Sequence, residues 1–455
     1  MSTFSKQVLI IFGLALLVRA INLFLLIPDD FNFQMEDQDI YVNLGLSILQ
    51  TGDFVYQTGS SFNMETARTP LYPAFLSVIW SVTGYNPWAV ISIQSIIDSL
   101  SCVMIGLVVS KIIPGYFVLG GVLSVFNMNM VASSGVILTD SLFLLFFTLF
   151  LWATLSYLNK SNLKYMILLA LMLALSILTR PVSYYLIPIL GVIFLWYLLS
   201  KKKSLSEAGL HVSVFFFIVS IFLAPLIERN YRQFDTVSIT SQAGLHLSRY
   251  LVPLAIHFSE GVSYEEAVNE VTGKIERSKQ SDQTDNESNP FEVSRYESKV
   301  SIERLFELGV ARITYSWIVG STLNLISSGV MVMPWVRGLP HNSFYNTTGG
   351  NIIEKVINFI SDADSLKYLL VIVLANIISL FLFVIKMSGV YFLVKNPSQY
   401  GGGWVVGFIL GIITYFLLIT GPVIGVKYMI PVEPFLTVLA VVGFSKWKRF
   451  TKWTH

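Results

Sequence analysis

Long apolar runs recur along the chain and decide the first interpretation of its fold. About 20 apolar residues cross the hydrocarbon core of a bilayer as a helix. Backbone amides find no partner in lipid, so each run predicts a helix and not a strand. Ten runs are near this length: 7–27, 87–110, 114–131, 137–158, 163–180, 182–200, 210–227, 368–385, 403–420 and 424–445.

Two further apolar stretches do not fit a crossing. Residues 70–83 are short, begin with prolines and end in aromatic residues, which is typical of a helix in the outer interface. Counting 311–336 as a span would leave the basic C-terminus outside, so we interpret that stretch as interfacial or re-entrant. The pattern predicts an all-α polytopic membrane protein of about ten transmembrane helices, with interfacial helices and an outer-face helical segment.

The basic residues set the predicted orientation. With a cytoplasmic N-terminus, the inner loops collect lysines and arginines and hold one acid, Glu207, whereas nearly all other carboxylates fall outside. The first helix is expected to be retained, since no small-residue cleavage site follows it. The chain then divides into a seven-span module at 1–227 with an outer loop at 28–86, an extracytoplasmic or interfacial segment at 228–366, and a three-span module at 367–455.

Composition agrees with a membrane protein and excludes several kinds of site. The 455 residues are 54% hydrophobic and 13% charged, which is too apolar for a water-facing surface. A net charge of +2 gives no sign of nucleic-acid binding. Cys102 is the single cysteine, which excludes a disulfide framework, and the five histidines form no pair at zinc-like spacing.

Charged residues crowd at the predicted outer ends of the spans. The stretch "MEDQDIY" places Glu36, Asp37 and Asp39 at the start of a surface helix, where an N-cap would need only one carboxylate. Asp140 in "GVILTDSLF" lies at the outer mouth of the fourth span, where it could cap a helix or serve a site. The other charged residues at this depth are Glu65, Arg68, Arg180, Glu228, Arg229, Arg232 and Lys427.

Carboxylates beside arginines at a lipid surface suit transfer of a group from a lipid phosphate. Arginine forks bind phosphate and neutralise a phosphate leaving group, while a carboxylate can take the proton of an attacking hydroxyl. The alternatives are that the arginines bind lipid headgroups or pair with acids, and that Lys427 anchors its helix by snorkelling. Mg²⁺ on Glu36, Asp37 and Asp140 is conceivable, but arginines supply similar electrostatics, so no metal is expected.

Two charges stand near the middle of predicted spans. Arg19 lies in the first span and Asp98 in the second, at depths where either charge alone is costly. We expect the two side chains to pair with each other, so that replacing Arg19 by leucine damages folding.

Six motifs follow one another in a characteristic order: "MEDQDIYVNLGLSILQTGDF", "ARTPLYPAFL", "GVILTDSLF", "ALSILTRP", "LAPLIERNYRQFDTVSITSQAGLHL" and "GVKYMIPVEPFLTVLA". Together they resemble the bacterial members of the protein O-mannosyltransferase-like family, to which the aminoarabinose transferase acting on lipid A is related. The resemblance runs over most of residues 7–445. It implies a GT-C fold and a polyprenyl-phosphate sugar donor.

The resemblance also implies roles for the residues that match the family's motifs. Asp37, four residues before Tyr41, matches the catalytic base, with Asp39 as its competitor. Asp140 stands where the family usually has glutamate, and Lys427 stands where it has arginine, which loses the bidentate fork. The catalytic candidates are Asp37, Asp140, Asp39 and Glu36; the phosphate-binding candidates are Arg68, Arg229, Arg232, Arg180 and Lys427; the substrate-binding candidates are Tyr41, Glu65, Tyr72, Glu228 and Tyr428.

The sequence thus predicts an inverting glycosyltransferase in the bacterial cytoplasmic membrane, with both termini in the cytoplasm and the active site on the outer face. The acceptor would be a hydroxyl of a lipid-linked or cell-envelope glycan, as in lipopolysaccharide or O-antigen modification, and no cofactor is expected. A flippase or transporter of lipid-linked sugars is one alternative, although it would place charges along an internal pathway. A glycan polymerase or ligase with a pyrophosphate-linked donor is another.

Overall fold

Helices dominate the computed structural model of the chain, which describes residues 2–26, 36–58, 61–282, 289–340, 347, 352–363 and 365–450. The first ten helices are α1 (Thr3–Leu26), α2 (Glu36–Thr51), α3 (Leu71–Thr83), α4 (Pro87–Ile112), α5 (Phe117–Val125), α6 (Met128–Ser134), α7 (Asp140–Lys160), α8 (Leu163–Thr179), α9 (Leu186–Ser200) and α10 (Leu205–Phe234). The later helices are α11 (Gln242–His246), α12 (Val252–Glu260), α13 (Tyr264–Asp282), α14 (Pro290–Glu307), α15 (Gly309–Ile326), α16 (Pro334–Arg337), α17 (Ile352–Ser361), α18 (Leu366–Lys395), α19 (Gly403–Thr420), α20 (Val426–Met429) and α21 (Glu433–Phe450).

All ten predicted apolar runs fold as helix in the described residues, and eight helices are long and apolar enough to cross a membrane. The run at 163–180 forms α8, whose 17 residues are one fewer than the shortest of these eight candidate spans, so α8 is not among them. The run at 114–131 is not one straight span: it is broken into α5 and α6, which are bent by 55°. Asn127 explains the break, since its side chain accepts hydrogen bonds from the amides of Asn129 and Met130 and so starts a new helix. The predicted multi-pass membrane fold is confirmed.

A small β-hairpin departs from the all-α prediction. Strand β1 (Val55–Thr58) pairs antiparallel with β2 (Ser61–Met64), so that Val55 lies opposite Met64. The signal was present in the sequence, because two short runs rich in β-forming residues are separated by Gly-Ser, a common two-residue hairpin connection. The hairpin follows α2 and leads directly to Glu65 and Arg68.

Both stretches that were excluded as crossings fold as helices outside the eight candidate spans. α3 buries Tyr72, Leu76 and Trp80 on one face and exposes Val82 on the other, as a helix lying along a surface does. The stretch 311–336 begins inside α15 and breaks after it, continuing as a 3₁₀ turn at Gly329–Val332 and the short α16. Their placement in the interface stays a prediction.

The C-terminal helices pack into the same bundle as the first module. A methyl group on Gly389 of α18 would lie 2.0 Å from the carbonyl oxygen of Leu439, so the backbones of α18 and α21 are in direct contact. α21 also contacts α4 and α5. These contacts do not test the division into an N-terminal catalytic module and a C-terminal module, so that division stays a prediction from the sequence.

The predicted pairing of Arg19 with Asp98 is confirmed. Arg19 Nε donates to Asp98 Oδ2 at 2.7 Å, and the two side chains are 0% and 1% exposed. Arg19 Nη1 donates to the carbonyl oxygen of Val125 at 2.7 Å, and Nη2 lies 3.3 Å from Cys102 Sγ. One guanidinium therefore joins α1, α4 and the end of α5 in the interior of the bundle.

Candidate active site

The carboxylate of Asp37 lies between two cations from distant parts of the chain. Lys427 Nζ donates to Asp37 Oδ2 at 3.1 Å, and Arg68 Nη2 is 3.5 Å from Asp37 Oδ1. Burial alone would raise the pKa of Asp37, but Lys427 and Arg68 outweigh it and hold the pKa below its ordinary value of 3.8. Asp37 and Lys427 keep 45% and 42% of their side chains exposed, so a ligand can reach the pair.

A second ion pair lies beside the first. Arg180 Nη1 donates to Asp140 Oδ1 at 2.5 Å and to the backbone carbonyl of Lys427 at 3.1 Å. Thr139 precedes α7 without a side-chain cap, and Asp140 uses its carboxylate for Arg180 instead. The carbonyl of Lys427 thus links the two pairs into one network. We call Asp37, Arg68, Asp140, Arg180 and Lys427 the charged cluster.

Tyr41 lies near four of the five members of the charged cluster. Burial raises the pKa of Tyr41 to about 12, with Arg68, Arg180, Asp37 and Asp140 as its charged neighbours. Its ring packs edge-on against Tyr72 with centroids 5.2 Å apart. Tyr41 stays protonated at neutral pH and can donate a hydrogen bond into the cluster.

Tyr72, predicted to bind substrate, packs against Tyr41 next to the charged cluster. Its side chain is fully buried, and its hydroxyl donates to Gln94 Oε1 at 2.6 Å. Gln94 Nε2 in turn donates to the carbonyl oxygen of Val136 at 2.7 Å, just before α7. Tyr72 therefore connects α3 with α4 and the start of α7, and it positions Tyr41.

Arg68 is held in a tight turn by Glu65. Glu65 Oε1 accepts hydrogen bonds from the amides of Ala67 and Arg68 at 2.6 and 2.9 Å, so this buried acid shapes the backbone. The turn is also fixed from the start of α11, because the amide of Ser241 donates to the carbonyl oxygen of Thr66 at 2.8 Å. The guanidinium of Arg68 is thereby presented to Asp37.

Arg229 lies on the far side of the same turn. Its Nη2 donates to the carbonyl oxygen of Glu65 at 2.8 Å and to Asn230 Oδ1 at 2.7 Å, and its guanidinium stands 5.3 Å from the centre of the Phe54 ring. Its Nη1 is buried and has no hydrogen-bond partner among the described residues. α10 carries Arg229 to this place because its 30 residues extend about 45 Å, well beyond a 30 Å hydrocarbon core.

The structure does not bring every predicted residue into the charged cluster. Glu228 and Arg232 form an ion pair with each other one helical turn apart on α10, and both side chains are more than half exposed. Asp39 is half-buried and makes no hydrogen bond or ion pair to any residue of the described ranges. Glu36 begins α2, but its side chain lies outside the described part of the chain. The roles predicted for these four residues stay predictions.

The segment 228–366 brings His246 close to the charged cluster. The ring centre of His246, at the end of α11, is 6.3 Å from that of Tyr428, and Tyr428 follows Lys427 directly. Burial, with added repulsion from Lys427 and Arg180, lowers the pKa of His246 to about 4. His246 is therefore neutral at physiological pH. The sequence analysis assigned it no role in the site.

Glu433 is a second residue that the sequence analysis missed. Its carboxylate is 2% exposed and accepts hydrogen bonds from Asn127 Nδ2 and Asn129 Nδ2, both at 2.6 Å. It thus ties the start of α21, just after Lys427, to the break between α5 and α6. The sequence signal for Glu433 was its carboxylate inside the apolar run "MIPVEPFLTVLA".

The described residues contain no group of three or more histidine, cysteine, aspartate or glutamate side chains that could hold a metal ion. Independence of a metal stays a prediction.

Comparisons with known proteins place this geometry in a fold family. A family model described as dolichyl-phosphate-mannose-protein mannosyltransferase matches residues 67–227, the part of the chain that contains Arg68, Asp140 and Arg180. The archaeal oligosaccharyltransferase AglB from Archaeoglobus fulgidus, solved with an inhibitory peptide and a dolichol-phosphate, is similar over 99% of this chain with a TM-score of 0.53 and 13% identity. The chain has a GT-C fold.

The likeness to known proteins is limited in extent. This GT-C chain spans about half of AglB, 52% of its length. ArnT from Cupriavidus metallidurans, solved with undecaprenyl phosphate, is similar over 98% of this chain and 79% of its own, with 14% identity and a TM-score of 0.41. No curated protein sequence matches significantly. The resemblance deduced from the six motifs is confirmed at the level of the fold and of the segment 67–227.

Proposed function

We propose that this GT-C protein is an inverting glycosyltransferase that takes a sugar from a polyprenyl-phosphate donor at the outer face of a bacterial cytoplasmic membrane. The observation that carries the proposal is Asp37 held between Arg68 and Lys427. A proton acceptor and two phosphate-binding cations then meet in one place. The family description and the dolichol-phosphate bound to AglB support a lipid-phosphate carrier.

The net charge of the cluster suits such a donor. Its three cations and two carboxylates leave an excess of one positive charge, which equals the single negative charge of a phosphodiester. When Asp37 takes the acceptor proton, the excess becomes two, and the released polyprenyl phosphate can carry two negative charges. The cluster therefore stays balanced before and after transfer, which favours the leaving group without a metal.

Donor binding would also prepare the base. Lys427 and Arg68 lower the pKa of Asp37, and the same two cations are the proposed phosphate ligands. A phosphate between them draws their charge away from the carboxylate, so that Asp37 becomes a better proton acceptor once the donor is bound.

Bond changes in the proposed reaction are simple. The acceptor hydroxyl oxygen forms a bond to the anomeric carbon from the face opposite the phosphate, and the bond between that carbon and the phosphate oxygen breaks. The phosphate leaves with the electron pair, while Asp37 receives the hydroxyl proton. Configuration at the anomeric carbon is inverted, and Asp140 would orient the acceptor through its pairing with Arg180.

Replacing Asp37 by asparagine tests the base. Asp37→Asn should abolish sugar release from radiolabelled polyprenyl-phosphate sugars while binding of undecaprenyl phosphate survives. Asp39→Asn is the matched control, since it removes a carboxylate two residues along the same helix and should retain turnover. Substantial turnover by Asp37→Asn would move the base to another residue or end the proposal.

Arg68→Ala tests the phosphate site. It should weaken undecaprenyl phosphate binding by about 2 kcal/mol, the usual worth of a hydrogen bond to a charged group, or roughly thirtyfold.

A polymerase or ligase would instead require a pyrophosphate-linked donor, so activity with such a donor alone would contradict single-sugar transfer from a monophosphate carrier.

A further inference from the structure

A row of aromatic rings leads from the charged cluster to the surface of the outer segment. Lys427 Nζ lies 5.7 Å from the centre of the Tyr428 ring, the ring centres of Tyr428 and His246 are 6.3 Å apart, and those of His246 and Tyr250 are 5.9 Å apart. Because Lys427 also donates to Asp37, the row begins at the proposed base. Tyr250 ends the row and is 44% exposed.

The backbone that carries Tyr250 has an uncommon geometry. Residues Leu247–Leu251 form a π-helical turn between α11 and α12. Such turns are rare, they redirect side chains relative to an α-helix, and they occur frequently at functional sites. The hydroxyl of Tyr264 donates to the carbonyl oxygen of Arg249 at 2.6 Å, so α13 holds the turn from outside.

The base of the row is rigid as well. The amide of Gly244 donates to Ser294 Oγ at 2.9 Å, and a methyl group at Gly244 would lie 2.6 Å from Ser294 Cα. Only glycine allows α11 to approach α14 this closely. The backbone that carries His246 and Tyr250 is therefore held against α13 and α14 before any ligand arrives, which lowers the entropic cost of binding.

The chemistry of the row suits a neutral sugar. His246 is uncharged at physiological pH and keeps one donor and one acceptor nitrogen, while tyrosine combines a flat apolar ring with a hydroxyl. The C–H face of a pyranose packs on such a ring, and its hydroxyls find the polar ends. Aromatic side chains with a few polar groups are typical linings of small-molecule sites.

We infer that His246 and Tyr250 form a binding subsite for a pyranose ring of the acceptor glycan, next to the unit whose hydroxyl reaches Asp37. The inference rests on the proposed function for the identity of that reacting hydroxyl. The subsite assigns acceptor selection to the π-helical turn and α11.

Saturation-transfer NMR on the full-length protein in nanodiscs tests the subsite without requiring turnover. The probes are methyl pyranosides of glucose, galactose, mannose and N-acetylglucosamine. Tyr250→Leu should reduce the saturation transfer of the bound pyranoside at least fivefold, whereas Tyr250→Phe, which keeps the ring, should retain most of it. Tyr315→Leu is the control, because Tyr315 is a similarly exposed tyrosine on α15 and should leave the signal unchanged.

A second probe separates the subsite from the catalytic proposal. Undecaprenyl phosphate should bind Tyr250→Leu and the wild type equally, and Arg68→Ala should show the reverse pattern, with pyranoside binding kept. The subsite is wrong if the wild type binds none of the pyranosides, or if Tyr250→Leu keeps the wild-type signal. Failure of the wild type to bind undecaprenyl phosphate would instead count against the glycosyltransferase and leave the sugar subsite standing.

Discussion

Breaking the buried pair of Arg19 and Asp98 offers a sharp test of how this bundle is stabilised. Arg19→Leu leaves the Asp98 carboxylate without its cation and the Val125 carbonyl without its donor. Asp98→Asn leaves the guanidinium of Arg19 without its counter-ion. Combining Arg19→Leu with Asp98→Asn removes both charges at once.

The burial of the pair sets the expected magnitude. Removing one partner of a buried ion pair costs about 3–5 kcal/mol, and an aspartate charge at a helix centre in the membrane costs about 2.5–3.5 kcal/mol. Each single substitution should therefore lower the free energy of unfolding by about 3 kcal/mol. The double variant leaves no buried charge without a partner and loses mainly the Val125 contact, which is worth about 1–3 kcal/mol. Its effect on the free energy of unfolding should therefore be well below the sum of the two single effects.

The chain provides its own probe for this measurement. Cys102 is the single cysteine, it is fully buried, and it lies 3.3 Å from Arg19. A thiol-reactive maleimide labels Cys102 only when this region opens, so the labelling rate under native conditions reports the opening free energy. A loss of about 3 kcal/mol corresponds to roughly hundredfold faster labelling in either single variant. Labelling of each variant in denaturing detergent controls for intrinsic thiol reactivity.

Several outcomes would contradict a stabilising role for the Arg19–Asp98 pair. If either single variant labels at the wild-type rate, the pair does not hold α1 against α4. If the double variant is as damaged as the two single effects added together, the two residues act independently and the loss comes from packing. A well-folded Arg19→Leu protein without activity would also contradict a structural role.

Two further predictions concern the charged cluster. Arg180→Lys keeps the charge but removes the guanidinium whose Nη1 donates to both the Asp140 carboxylate and the Lys427 carbonyl, so turnover should fall at least tenfold, while Arg232→Lys on the exposed face of α10 should match the wild type in the same assay. The pKa of Asp37 is lowered by folding, so its ion pairs stabilise the protein above pH 3.8 and this contribution is lost as the pH falls through the native pKa. Because the pair is half-exposed, the difference in unfolding free energy between wild type and Asp37→Asn should shrink by less than about 1 kcal/mol between pH 6 and pH 3, and salt should reduce it.

Sequence patterns alone predicted the membrane fold, the positions of its apolar helices and the pairing of Arg19 with Asp98. These features follow from local patterns, because a helix in lipid needs a continuous apolar run and a charge within that run needs a partner at the same depth. The break at Asn127 escaped this reasoning, since an asparagine side chain that caps a helix is indistinguishable in an apolar run from one that faces a neighbour. The hairpin between α2 and Arg68 was missed although its Gly-Ser connection was visible.

Which charged residues share a site depends on the three-dimensional packing of the chain. Lys427 reaches Asp37 across 390 residues, and no local pattern distinguishes that contact from an interfacial anchor. Glu228 and Arg232 stand in the same motif as Arg229, yet they pair on the exposed face of α10, because successive residues of a helix point in different directions. Side-chain direction and helix packing, which the sequence encodes only through the whole fold, determine the charged cluster.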